Sequence, residues 1–243
     1  MQIAKFFYKL YLIDHSQKPI SFLGTAFSIT PNGGLITCRH VVNISYDPQS
    51  AHIAVYDNEL GRFVSISKFV FPLNQTSDLA FLPNALNRVK KEFVPILEPS
   101  RLTIGEEVYS FGYYAIGGRV EDVTQGYFSG RIINMFHNKV ISEFPSLLLP
   151  YPVIEGMSGS PVMTYHNGPK LVGVCYGNQQ QRIVASEIVE YQDDKKEYKE
   201  TINRIAEFGL AYHPSGLISF LMEKSISDFI VSEQKVEIEG LEQ

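Results

Sequence analysis

The sequence predicts an all-β protein made of two halves joined by a connecting stretch. Three observations predict it. Short apolar runs alternate with turn signals along most of the chain, and the turns recur at regular spacing. The chain also carries 14 Tyr and 16 Phe with no Trp, and aromatic side chains suit a half-buried pleated surface. Strands so spaced belong to a barrel or a sandwich. With 243 residues, 44% hydrophobic and 19% charged, the chain is long enough to bury a substantial core.

The elements follow in order. Ile3–Ile13 reads as a strand and Asp14–Lys18 as a turn. Ser21–Ile29 is a second strand, and Pro31-Asn32-Gly33-Gly34 is a hairpin signal because Asn-Gly and Gly-Gly accept positive φ. Leu35–Thr37 is the return strand; His52–Tyr56 and Phe63–Phe71 form another pair; Leu79–Leu82 is short and fully apolar. The polar stretch Asn84–Pro99 connects the halves. The second half reads as strands at Glu107–Gly112, Val120–Phe128, Gly130–Ile133, Val140–Ile141 with Leu147–Leu149, Ser160–Thr164, Leu171–Tyr176 and Phe208–Tyr212. Pro214 opens a helix whose apolar residues are Leu217, Ile218, Phe220 and Leu221. A second helix is expected over Asp193–Phe208, with Tyr198, Ile202, Ile205 and Ala206 on one face. The polar residues from Ser232 form a tail.

Composition excludes several function classes. A net charge of −5 and a pI near 5.7 offer no phosphate-tracking surface, so nucleic acid is not an expected partner. No apolar run approaches the roughly 18–20 residues of a membrane span, so no membrane partner is expected. The N-terminus lacks a charged segment followed by a long apolar run, and the expected location is the cytoplasm. Two cysteines, Cys38 and Cys175, are too few for a disulfide scaffold and have no partner set for zinc.

Three segments carry chemistry. In Gly156-Met157-Ser158-Gly159-Ser160-Pro161-Val162, glycines flank a serine at a tight turn. That arrangement suits an exposed nucleophile with backbone amides aimed at developing negative charge; a plain Gly-Ser turn is the other reading. In Leu35-Ile36-Thr37-Cys38-Arg39-His40-Val41-Val42, His40 ends a strand-like run, unlike the other five histidines. A base that takes the serine proton needs such a fixed position. In Ser77-Asp78-Leu79-Ala80-Phe81-Leu82, Asp78 heads an apolar strand, where a carboxylate is costly without a partner. A histidine ring N–H is one such partner; a capped turn is the other reading. The order His, Asp, Ser along the chain strengthens the three together.

With these motifs the chain resembles the trypsin-like peptidases, closest to the bacterial branch with HtrA-type proteases and glutamyl endopeptidases. The likeness runs from about Phe22 to Leu221. Its supports include Gly24-Thr25-Ala26-Phe27, Thr37–Val41, Asp78-Leu79-Ala80, Ile104-Gly105-Glu106-Glu107-Val108, Thr124-Gln125-Gly126, Leu171-Val172-Gly173-Val174 and Phe208–Pro214. The resemblance implies two six-stranded antiparallel β-barrels of the chymotrypsin-like kind with a C-terminal helix. The expected division is residues 1–90, bearing His40 and Asp78; residues 91–221, bearing Ser158 and an insertion at 178–207; and a tail at 222–243.

It implies a serine endopeptidase needing no cofactor or metal. Ser158 would attack, His40 would relay the proton, Asp78 would orient His40, and the amides of Gly156 and Ser158 would form the oxyanion hole. Pro152, Val153, Ile154, Cys175, Tyr176 and Gly177 would line the substrate pocket. Pro152 stands where a trypsin-type acid is expected and Val174 where glutamyl endopeptidases carry histidine, so an uncharged, hydrophobic residue is expected before the scissile bond. Met157 replaces the buried acid of trypsin-type zymogens, and no Ile-Val-Gly-Gly sequence is present. Activation by trypsin-type cleavage is therefore not expected. Cys38 and Cys175 are implied to lie on strands flanking Asp78; in a reducing cytosol they are expected as free buried thiols, with a disulfide between them as the other reading. The expected partners are a protein or peptide substrate and a regulatory protein or a homo-oligomer. The alternative functions are a catalytically silent peptide-binding module, and a protease held inactive until a partner orders its serine loop.

Overall fold

The first strand shows why the chain folds in layers. In the computed structural model, which describes residues 6–31, 33–86, 93–137, 143–192, 195–223 and 226, β1 spans Phe7–Asp14. Its alternating side chains are buried on both faces. Tyr8 and Leu10 enter one core while Phe7 points the other way and stacks on Phe111 at 5.6 Å. A strand covered on both faces must lie between its own sheet's interior and a second sheet.

That first sheet contains β1, β2 (Pro19–Ser28), β3 (Leu35–Cys38), β4 (Ala51–Asp57), β5 (Arg62–Ser65) and β6 (Leu79–Leu82) in the order β5-β4-β1-β2-β3-β6. A single turn of helix, α1 (Arg39–Val42), follows β3 directly. The second sheet holds β7 (Glu107–Ala115), β8 (Val123–Arg131), β9 (Asn134–Phe136), β10 (Ser146–Leu149), β11 (Pro161–Tyr165), β12 (Pro169–Gln192) and β13 (Lys195–Tyr212). Their order is β8-β7-β11-β12-β13-β10-β9. All pairings between these strands are antiparallel. The helix α2 (Pro214–Leu221) closes the described chain; His213 Nδ1 accepts the Ser215 N–H at its start, and Leu217 and Phe220 are buried beneath it.

Each sheet curls around its own core. One contains Leu10, Leu35, Val55 and Cys38; the other contains Val108, Leu149, Val162 and Cys175. A third cluster, with Phe27, Phe81, Val174, Tyr212 and Phe220, fills the seam between the sheets.

The all-β class with two antiparallel sheets is as expected, but three details differ. The second sheet has seven strands rather than six, because Asn134–Phe136 pairs with β10. Three residues are too short to show an alternating pattern. Neither ladder closes from first strand to last among the described residues, so each sheet wraps its core without a continuous hydrogen-bonded ring. The helix expected over Asp193–Phe208 is instead the strand β13, paired with β12 from Val174↔Tyr212 to Gln192↔Lys195. The spacing of Tyr198, Ile202 and Ile205 fits a helical face, but β-branched Ile183, Val184, Ile188 and Val189 lie across from this stretch and favour an extended pair. The expected strand at Val140–Ile141 and the tail from Ser232 lie outside the described residues. Among the described residues no helix is long and apolar enough to cross a membrane.

Candidate active site

Two residues from the first sheet meet at the seam. β3 ends at Cys38 and α1 carries His40, while Asp78 immediately precedes β6, the neighbour of β3. Pairing of β3 with β6 therefore brings them together. His40 Nδ1 lies 2.5 Å from Asp78 Oδ2, and the His40 backbone N–H donates to Asp78 Oδ1 at 2.8 Å. In the neutral ring, a hydrogen bond from Nδ1–H to this carboxylate oxygen leaves the Nε2 lone pair available to accept a proton. The Asp78 backbone N–H donates to Tyr212 Oη at 2.6 Å. The His40 side chain is 51% exposed and that of Asp78 26%, so the ring is open to a ligand while the acid is sheltered.

Ser158 comes from the second sheet, in the turn before β11. Gly156 and Gly159 take φ of 92° and 84°, which favour glycine. A Cβ on Gly159 would lie 2.1 Å from the Thr25 carbonyl and 2.4 Å from Thr37 Oγ1, so this turn is lodged against β2 and β3, next to the start of α1. Thr25 grips it. Its N–H donates to the Ser158 carbonyl at 3.0 Å, and its hydroxyl donates to the Gly156 carbonyl at 2.9 Å while accepting the Tyr113 N–H. The Gly159 N–H donates to the Cys175 carbonyl at 2.8 Å. Ser158 is partly exposed, and its hydroxyl makes no hydrogen bond to His40. Among the described residues neither the Gly156 nor the Ser158 N–H is taken by a protein acceptor.

The expected pocket segments are also adjacent. Val153 N–H donates to Asn178 Oδ1 at 2.7 Å, and Asn178 Nδ2 donates to the Val153 carbonyl at 2.8 Å. This clamp joins Pro152-Val153-Ile154 to the chain just after Cys175-Tyr176-Gly177. Pro152, Ile154, Tyr176 and Gly177 are partly exposed there, whereas Val153 is buried. The Cys175 thiol points away into the second core, 3.7 Å from Ser110 Oγ, so this residue reaches the pocket only through its backbone.

Both cysteines are free and buried. The Cys38 thiol donates to the Cys175 carbonyl at 3.1 Å. Burial, reinforced by the charge of Asp78, pushes the Cys38 thiol well above its usual range; burial pushes Cys175 up to about 12. Cys38 Sγ, His40 and Asp78 place ligand atoms within 4.8 Å of one another. A metal there would need the disfavoured thiolate and would compete for the Nδ1 already given to Asp78.

Tyr212, Thr25 and Asn178 were not singled out by the sequence as site residues. A hydroxyl inside the apolar run Gly24-Thr25-Ala26-Phe27 was a usable signal, because a buried hydroxyl needs a partner. No local signal shows how far the Tyr212 hydroxyl reaches.

The trypsin-like peptidase domain family matches residues 24–174. The chain belongs to that family. No curated protein matches the chain. Among solved structures it is similar to the HtrA-type protease AlgW with a decapeptide, at 15% identity and TM-score 0.58, over 95% of this chain and 66% of that one. The same protease with a tripeptide matches at 16% and 0.56, over 91% of this chain and 62% of the other. An inactive form of Rv3671c from M. tuberculosis matches at 17% and 0.53, over 89% and 86%. The fold is thus chymotrypsin-like, and the chain spans about two thirds of the AlgW chains it matches.

Proposed function

We propose that this chain hydrolyses peptide bonds through Ser158, His40 and Asp78. The observation that carries the reading is the His40–Asp78 pair at 2.5 Å beside a serine turn that Thr25 binds to the same sheet. In this mechanism His40 Nε2 takes the Ser158 proton as Oγ attacks the scissile carbonyl. Asp78 holds the ring and stabilises the imidazolium that forms. The unclaimed amides of Gly156 and Ser158 receive the oxyanion; one such donor contributes about 2.7–4 kcal/mol to the transition state. His40 then protonates the leaving amine, and water hydrolyses the acyl-enzyme by the same steps in reverse. The hydroxyl of Ser158 turns toward His40 when substrate fills the site, since catalytic hydrogen bonds tighten in the complex.

The substrate is a protein or peptide, in line with the peptides held by AlgW. Pro152, Val153, Ile154 and Tyr176 give the pocket apolar walls, so an uncharged hydrophobic residue is expected before the scissile bond. A fluorophosphonate probe tests the nucleophile: wild type is labelled, and Ser158→Ala is not. Labelling that survives Ser158→Ala would assign the nucleophile elsewhere. Cleavage-site profiling on a peptide library tests the pocket; preference for Arg, Lys or Glu would overturn its apolar assignment.

A further inference from the structure

Among the described residues, β12 from Asn178 and β13 up to Glu207 form an arm with no other strand beside it in the sheet. From Asn178↔Gly209 to Gln192↔Lys195 the β12–β13 ladder continues alone, a ribbon of roughly 45 Å at about 3.3 Å per residue. A lone two-stranded ribbon is at best marginally stable in water. This one nevertheless exposes Ile183, Val184, Ile188, Ile202 and Ile205, each between 44% and 62% accessible. Branched apolar side chains on an exposed ribbon mark a surface that another protein covers.

The register says what covers it. Residues directly opposite in a ladder share a face, and so do alternate residues along a strand. Ile183 lies across from Arg204, Ser186 from Ile202, and Ile188 from Glu200. The register shift between Val184 and Ser186 brings Ser186 onto the face of Ile183, so one face presents three successive rows: Ile183 with Arg204, Ser186 with Ile202, and Ile188 with Glu200. All six residues are exposed. A two-fold axis lying across the middle row superposes this pattern on itself. Arg204 falls on Glu200 of the second copy, Ile202 meets Ile202, and Ile183 meets Ile188, each contact occurring twice where symmetry requires it. Ile202 meets its own copy in the middle row, the two Ile183–Ile188 contacts lie on the β12 side in the outer rows, and opposite charges fix the antiparallel direction, as an isologous interface requires. The reverse face is poorer in apolar contacts: the same operation on it sets Val184 against Val184 and Arg182 against Glu187, but Ile205 against Thr201.

We propose that the 178–207 arm is a self-association surface, and that two copies of this chain pack arm on arm through Ile183, Ile188 and Ile202, with Arg204 of each against Glu200 of the other. The occupant is a second copy because the pattern complements itself. The proposal does not depend on the catalytic reading, but it bears on it. The arm begins at Asn178, whose side chain clamps Val153 in the pocket wall, so pairing of the arms reaches the site through one residue.

The test is sedimentation velocity with light scattering, up to on the order of 100 μM because the face is small for a stable interface. Ser158→Ala protein is used so that self-cleavage cannot intervene. The parent is expected to dimerise. Ile202→Asp, Arg204→Glu and Glu200→Arg should each weaken association at least tenfold, and Ile205→Asp should leave it unchanged. An equimolar mixture of Arg204→Glu with Glu200→Arg should recover a dimer, since each cross-contact then pairs opposite charges. Matching far-ultraviolet circular dichroism shows that the variants are folded. A parent that stays monomeric throughout the range overturns the proposal. So does a dimer broken by Ile205→Asp but not by Ile202→Asp, or a charge pair whose mixture is not rescued. Because every sample lacks Ser158, these outcomes stand apart from failure of the fluorophosphonate test.

Discussion

Replacing Asp78 by Asn isolates what the carboxylate does for His40. The substitution keeps shape and one oxygen but turns the other oxygen into an NH2. Asp78 makes two bonds, Oδ1 to the His40 backbone N–H at 2.8 Å and Oδ2 to Nδ1 at 2.5 Å. The backbone N–H can only donate, so the one oxygen left on the amide side chain must stay with it. The new NH2 then faces Nδ1 and can only donate to it. Nδ1 becomes an acceptor, the ring proton moves to Nε2, and that nitrogen can no longer take a proton from Ser158. The loss is that of a ring held in the wrong tautomer, about ten-thousand-fold in kcat, or about 5.5 kcal/mol of barrier. The assay is turnover of the best peptide from the cleavage profile, with the melting temperature as a check on folding. Asp78→Asn protein that folds normally and keeps activity within tenfold of wild type would refute the assignment of Asp78 as the group that sets the tautomer of His40.

Other outcomes follow from the same geometry. Gly159→Ala forces a Cβ to within 2.1 Å of the Thr25 carbonyl at a φ of 84°, so the serine turn must leave its seat. Probe labelling should fall at least about tenfold, with a stability cost of roughly 1–3 kcal/mol in urea unfolding. Tyr212→Phe removes the acceptor of the Asp78 N–H, and an orphaned donor of this kind costs about 1–3 kcal/mol, read as a lower unfolding midpoint and a lower kcat. Both thiols should resist iodoacetamide in the folded protein and react in denaturant, because burial hides them and disfavours the thiolate. The raised Cys175 pKa also sets a sign. Between the ordinary value of 9.0 and about 12 the unfolded chain has lost a proton that the folded chain retains, so its contribution to stability is complete below pH 9 and lost as pH rises through 12. Cys175→Ala should flatten that alkaline decline in urea midpoints.

What the sequence made legible was local. The strand β6 was readable residue for residue because Leu79–Leu82 is four apolar residues bounded by an acid and a proline. The start of α2 was readable because Pro214 marks it and Leu217, Phe220 and Leu221 carry the period. His40, Asp78 and Ser158 stood out because each sits where its local pattern breaks: a base after an apolar strand, an acid before one, a serine between glycines. The arm was misread because Tyr198, Ile202 and Ile205 satisfy a helical period as well as an extended one. Only the strand opposite, distant in sequence, decides between them. Tyr212 and Asn178 were missed for a related reason. Their roles depend on where a side chain ends after two sheets have packed, and no spacing in the chain encodes that reach.

The same distinction governs how the site is held. His40 and Asp78 are positioned within one sheet by the β3–β6 ladder, which forms from neighbouring strands. Ser158 is positioned across the seam by Thr25, which binds the Ser158 carbonyl, the Gly156 carbonyl and the Tyr113 N–H. Tyr212 crosses the seam in the opposite direction, from β13 to the amide of Asp78. The serine turn and the acid that holds the base are thus each tied to the opposite sheet, Ser158 through the Thr25 N–H and Asp78 through the buried Tyr212 hydroxyl, and a small slip of one sheet on the other breaks both ties together. An alignment of this kind depends on seam packing more than on the stability of either sheet. Phe27, Phe81, Val174 and Phe220, which touch no reacting atom, therefore contribute to the geometry on which the proposed chemistry rests.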